Sequence, residues 1–162
     1  GVDVAVRIGD PPGSSPQAVS VGHVRRVICA APAYLAKRGI PLAIEDVQTH
    51  CVVAVNPTAQ QPEWRLYEGG TERVVRLKPR MSTNGNESAI AAALNGFGIT
   101  RVLSYQVAEY LRDGQLKIVL SEFEPAPLTV TVMHRDGRHA APKARAFMDL
   151  AIERLRTNPA LN

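Results

Sequence analysis

Five consecutive residues, Ser82, Thr83, Asn84, Gly85 and Asn86, consist almost entirely of hydrogen-bonding groups. They stand just ahead of "ESAIAAAL", an apolar and alanine-rich run with helical spacing. The first N–H groups of a helix have no partner inside it, and the positive end of its dipole lies there, so this polar stretch faces a place that can hold an anion. It can also simply cap the helix. Asn84 followed three residues later by Glu87 makes a capping-box-like pair, with Asn in place of Ser or Thr, which accounts for Asn84 without a ligand; the two roles can coexist. For Ser82 and Thr83, whose hydroxyls precede the cap, a ligand contact is the reading.

Other reactive side chains form no recognisable constellation. A nucleophile elbow, a paired-carboxylate signature, a His-x-x-x-His helix and a P-loop are all missing, so no catalytic residue and no metal site is expected. His23, His50, His134 and His139 are isolated, each bordering a loop or strand end. "GFG" in "NGFGI" follows a helix and not a strand, so the dinucleotide-loop reading fails on context and no cofactor is implied. Cys29 in "VICAA" and Cys51 in "HCVVAV" are expected to be buried and reduced, as small hydrophobes in a reducing compartment.

The elements that would position the polar stretch can be read from periodicity and punctuation. "GVDVAVRIG" alternates as a strand, "GDPPGSSPQ" reads as a loop, and Ala18 to Ala30 is a long extended stretch interrupted by Gly22. Pro32 and Gly39 bracket a short helix, "CVVAV" is a covered strand, and "EWRLY" with "ERVVRLKPRM" predicts a hairpin about Gly69 and Gly70. The strand "KPRMS" then delivers Ser82 to Asn84 to the carboxyl edge of a sheet, where α/β proteins bind ligands. In the helix that follows, Ile90, Leu94 and Phe97 form one stripe, and "ITRVL" is the next strand. Ser104 is expected to cap "YQVAEYLRDG", "LKIVL" and "LTVTVMH" are strands, and Pro142 starts a last helix with Ala144, Phe147, Met148, Ala151 and Leu155 on one stripe. Alternating strands and helices predict α/β layers about a largely parallel sheet. Two extended crossings, Ala18 to Ala30 and Leu120 to Leu128, divide the chain into one lobe at 24–120 and another built from 1–23 and 121–162.

Of the 162 residues, 45% are apolar and 21% charged, as in an ordinary globular chain, and no apolar run approaches the ~20 residues of a membrane span. The net charge of +4 comes from scattered basic residues, and only 5% of the chain is aromatic, so direct nucleic-acid binding is unsupported. These residues read as carrying no signal peptide, and residue 1 falls inside the first strand's alternation, so a piece of a longer protein is expected.

Taken in order, "GVDVAVRIG", "VRRVICAAPAYLAKRGIPLAIEDVQTH", "PRMSTNGNESAIAAALNGFGIT" and "LTVTVMHRDGRHAAPKARAFMDLAIERL" resemble the effector-binding domain of LysR-type transcriptional regulators over nearly the whole chain. The resemblance implies a fold like that of type 2 periplasmic binding proteins, with two α/β lobes, two crossings and a small-molecule effector between them. It implies that Ser82, Thr83, Asn84 and Gly85 contribute to the effector site and that Arg7, Ile8 and Gly9 contribute from the other lobe. It further implies a cytoplasmic homodimer or tetramer that reaches DNA only through a helix-turn-helix domain outside this chain, with no membrane contact and no enzymatic role. The first strand–helix–strand part of the first lobe is missing from the match, which leaves one lobe complete and the other partial and predicts poor effector affinity for the chain alone. A small organic acid fits the uncharged loop, as does a neutral polar molecule. A solute-binding protein of a transport system is the alternative, and an upstream signal peptide would favour it. A dehydratase-like enzyme would need an acid–base pair that the sequence does not offer.

Overall fold

The computed structural model describes residues 4–9, 18–55, 62–134 and 142–161. In chain order the strands are β1 (Val4–Ile8), β2 (Ala18–Val24), β3 (Arg26–Ala30), β4 (Val52–Val55), β5 (Glu63–Glu68), β6 (Thr71–Arg76), β7 (Met81–Thr83), β8 (Ile99–Leu103), β9 (Lys117–Val119) and β10 (Leu128–His134). The helices are α1 (Pro32–Arg38), α2 (Asn86–Leu94), α3 (Ser104–Arg112) and α4 (Pro142–Arg156), with 3₁₀ turns at Ile44–Thr49, Ser121–Phe123 and Pro159–Leu161. The chain divides into two compact units, Arg26–Ala126 and the pair Gly1–Arg25 with Pro127–Asn162.

The Arg26–Ala126 unit is built on a five-stranded sheet of order β7-β4-β8-β3-β9. The sheet is mixed, not largely parallel: β4 pairs in parallel with β7 and β8, and β3 runs antiparallel to both β8 and β9. Both faces are covered. On one, Val27, Cys29 and Val102 pack against Ile90 and Ala93 of α2 and Val107 of α3. On the other, Ile28, Val52 and Ile99 pack against Tyr34 and Leu35 of α1 and against Trp64, Leu66 and Val75 of the β5–β6 hairpin. Burying each such large apolar side chain is worth roughly 1.5–3 kcal/mol, which is what attaches the two-stranded hairpin to the sheet. Its turn needs Gly69 and Gly70, whose φ angles of 56° and 83° are those of the tight turn that matches strand twist.

Helix α2 ends at Leu94, three residues short of Phe97, the last member of the expected stripe. Gly96, at φ 73°, turns the chain so that its N–H reaches Ala93 O and the N–H of Phe97 reaches Ala92 O, a pair of bonds that satisfies the last carbonyls. Phe97 therefore lies beyond the helix and is 44% exposed, while Ile90 is buried and Leu94 half-buried. The long stretch from Ala18 to Ala30 is two strands in two sheets that meet at Arg25. The second crossing also has helical content: the turn Ser121–Phe123 packs Phe123 against the hairpin-side core.

The other unit is a three-stranded antiparallel sheet of order β1-β10-β2 with α4 packed on β2 and β10. Val21, Val24, Val130 and Val132 form its buried apolar positions. Along α4, Ala144, Met148, Ala151 and Leu155 are half-buried, whereas Phe147 and Leu150 are 59% and 52% exposed.

Candidate functional site

The parallel strands β4 and β7 end together, with Val55 opposite Thr83, at the edge where β8 also ends. After two intervening residues, Asn84 and Gly85, α2 begins at Asn86. Its cap is Gly85, in an extended conformation (φ −147°, ψ 155°), and no side chain caps the helix. Asn84 is therefore not the cap, and its expected pairing with Glu87 does not form. With the cap at Gly85, Ser88 and not Glu87 occupies the third helical position, and the N–H groups of Asn86, Glu87 and Ser88 keep their outward orientation without a side-chain acceptor. Glu87 is the acidic residue of this first turn, where it complements the dipole.

Of the polar residues, Thr83 is the one built in. It is 7% exposed, and its hydroxyl donates to the carbonyl of Gly85 at 3.0 Å, with the carbonyl of Ala54 a longer second acceptor at 3.5 Å. The single hydroxyl proton thus ties the loop to itself and to β4, leaving the oxygen's lone pairs as acceptors. A related tie lies one strand over, where the buried Thr100 hydroxyl donates to the carbonyl of Val53 at 3.1 Å and joins β8 to β4. Ser82 and Asn84 are exposed, and among the described residues neither side chain makes a hydrogen bond. The arrangement is a fixed backbone loop carrying one hydroxyl, one carboxamide and a set of first-turn N–H groups. Such groups recognise a carboxylate or a neutral polar molecule by hydrogen bonding, without a full charge of their own.

Arg7, Ile8 and Gly9 belong to the other unit, at the end of β1. Arg7 and Ile8 are exposed, and Gly9, at φ 98°, donates its N–H to Thr129 O at 2.9 Å. At the start of the third helix of the Arg26–Ala126 unit, α3, the Leu103 N–H donates to Gln106 Oε1 at 3.0 Å; Leu103 is the cap residue and Ser104 the first helical residue, not the cap.

The remaining reactive groups serve structure. Cys29 is a free thiol that burial pushes up to about 12, far from the thiolate form, and Cys51 is free but half-buried, against the expectation that both would be buried. Tyr34 accepts the Cys51 N–H at 2.9 Å and its own hydroxyl meets His50 Nδ1 at 3.0 Å, a contact that ties α1 to the start of β4. His134 is buried at the end of β10, and His139 lies outside the described residues. Among the described residues no group of three His, Cys, Asp or Glu side chains could hold a metal ion, and no helix is long and apolar enough to cross a membrane.

A family model described as LysR substrate binding domain matches residues 1–156. The probable HTH-type transcriptional regulator LtrA of Klebsiella pneumoniae is 27% identical over 165 residues, covering 100% of this chain and 52% of that protein. The HTH-type transcriptional activator TtdR of Escherichia coli K12 is 26% identical over 149 residues, covering 91% of this chain and 48% of that one. Among solved structures, full-length AphB of Vibrio cholerae, described as a virulence activator of the LTTR family, superposes with a TM-score of 0.81 at 27% identity, covering 94% of this chain and 51% of AphB. The chain spans about half the length of these relatives.

Proposed function

Since this chain belongs to the LysR substrate binding domain family, we propose that it senses a small-molecule effector and passes the result to a helix-turn-helix DNA-binding domain elsewhere in the full protein. Its fold is that of LysR-type regulatory domains, which are periplasmic-binding-protein-like, and it is a regulatory domain, not an enzyme. The relatives are named as transcriptional regulators and not as transporters, which favours this reading over a solute-binding protein.

The observation that carries the site assignment is the uncapped start of α2 beside Thr83, whose buried hydroxyl fixes the loop while Ser82 and Asn84 stay exposed. A loop held rigid by one residue and left open by its neighbours is suited to recognition, because little ordering entropy remains to be lost on binding. Ser82, Thr83, Asn84 and Gly85 form the contact set in this reading. Arg7, Ile8 and Gly9 are proposed to contribute from the β1 unit, so that effector binding biases the relation between the two units. The 24–120 segment is read as the second lobe, and 1–23 with 121–162 as part of the first. A homodimer or tetramer would couple that bias to DNA in the cytoplasm, and a small organic acid suits the first-turn N–H groups.

The test is a thermal-shift screen of small organic acids and neutral polar metabolites, followed by calorimetry on Asn84→Ala. Asn84 is exposed and unbonded, so the variant keeps the parent Tm within about 1 °C. It binds the screened effector roughly 3- to 10-fold more weakly, the scale of one lost hydrogen bond. Unchanged affinity in the variant would remove Asn84 from the site.

A further inference from the structure

Strand β8 carries a single charge in an otherwise uncharged sequence, "ITRVL". In its register with β3, Arg101 stands directly opposite Ile28. Ile28 and Ile99 both belong to the hairpin-side core, so Arg101 rises from that face of the sheet, the face opposite α2. Arg26 lies two residues before Ile28 and therefore on the same face, a diagonal cross-strand neighbour of Arg101. Two guanidinium groups thus share one patch at the edge where β8 ends.

The environment of the two arginines differs. Arg26 is exposed, whereas Arg101 is half-buried and its Nε is enclosed with no hydrogen-bond partner among the described residues. Nor does Arg101 form an ion pair there. Burial first, and repulsion by Arg26 second, hold its guanidinium down at about 10, with Glu124 and Tyr67 acting the other way from nearby. Tyr67 spends its hydroxyl on the Glu72 carboxylate, to which it donates at 3.0 Å. Against these two guanidinium charges stands one nearby carboxylate, Glu124, whose Oε1 is itself enclosed, so the patch keeps a net positive charge and an unused Nε–H donor that a further anion would satisfy. The guanidinium fork matches the two oxygens of a carboxylate or phosphate.

We propose that Arg101 and Arg26 form an anion-binding site on the hairpin side of the five-stranded sheet, taking one carboxylate or phosphate group of a small molecule. Arg101 supplies the enclosed fork and Arg26 the outer, solvent-facing charge. The site lies entirely within the Arg26–Ala126 unit, on the sheet face opposite α2, and it does not depend on the assignment of Ser82 to Gly85.

The experiment follows the side-chain Nε–H signal of Arg101 and the backbone amides of Arg26 and Arg101 by NMR. The chain is titrated with inorganic phosphate in one arm and succinate in the other, at constant ionic strength set with chloride. The expected result is a saturable shift in at least one arm; the arm that saturates identifies the anion. Arg26→Gln, at an exposed position where the fold is retained, weakens that binding by roughly tenfold, the scale of a charge-assisted contact. Arg101→Lys, which keeps the charge and loses the fork, weakens it as well, and Asn84→Ala leaves it unchanged. A flat or merely linear response in both arms, or a saturable one that Arg26→Gln does not alter or Asn84→Ala abolishes, overturns the proposal.

Discussion

Thr83 and Asn84 are neighbours with opposite commitments: one hydroxyl is buried and tied to Gly85, and one carboxamide is exposed and tied to nothing among the described residues. Their types were visible in the sequence, and their division of labour was not, because a cap can slide by one residue without changing the pattern of polar side chains. The Asn84 and Glu87 spacing suits a cap at Asn84, but Gly85 takes the extended cap conformation and shifts the register. Arg101 was hidden for a different reason, since one charge in a strand pattern reads as a solvent-facing position until pairing sets it opposite the buried Ile28. A pH effect also belongs at this scale. Burial, then the positive charge of Arg38, holds His50 below its ordinary 6.5, with Asp46 opposing. The unfolded chain therefore binds this proton more readily than the folded one, so the contribution is complete above about pH 6.5 and is lost as pH falls from there through the folded value. The Tm is expected to fall from pH 7.5 to pH 5.5, with a flatter profile in His50→Gln; an equal slope in the variant would assign the effect to other groups. The carboxylate of Asp46, lowered by the N–H groups of Ala43 and Leu42, acts in a separate window at lower pH.

Among the elements, α2 and the strand after it depend on two glycines that read alike in "NGFGI" and act differently. Gly96 adopts φ 73° to end the helix, whereas Gly98 leaves room for the Cys51 carbonyl, which a Cβ at this position would meet head-on and which accepts the Ile99 N–H at 2.9 Å. Gly98→Ala forces β8 away from the start of β4 and is expected to cost about 2–3 kcal/mol, like other overpacked sites. By differential scanning calorimetry this is a fall in Tm of roughly 5–10 °C. A Tm within a degree of the parent would mean that the backbone relaxes there at little cost. Helices and strands with local punctuation, such as the Pro32 to Gly39 helix and the double-glycine hairpin, were legible because their signals lie inside the element. The direction of β3 was not, because strand direction in a sheet is decided by which partner the chain reaches after Arg25. β3 inserts between β8 and β9 against both, so strands expected to be parallel form a mixed sheet. The α4 stripe was legible except at Phe147, which the helix leaves exposed.

At the scale of the molecule, the order of elements carried more information than any single motif. No residue in the chain announces a chemistry, yet the sequence phrases fall in the order of a LysR-type regulatory domain, and the family match spans residues 1–156. The fold agrees at a TM-score of 0.81 with AphB, although fewer than one residue in three is identical, because burial patterns and turn signals survive substitutions that identities do not. What remained illegible was the identity of the effector, since a loop of neutral hydrogen-bonding groups is compatible with more than one ligand class. The central claim is that the head of α2 is where this domain meets its effector. It is tested most directly by an amide ¹H–¹⁵N NMR titration of the chain with a molecule found in the thermal-shift screen. The account predicts that the amides of Ser82 through Ser88 move together along one saturable curve. A molecule that binds saturably while leaving all of those amides unmoved would contradict it.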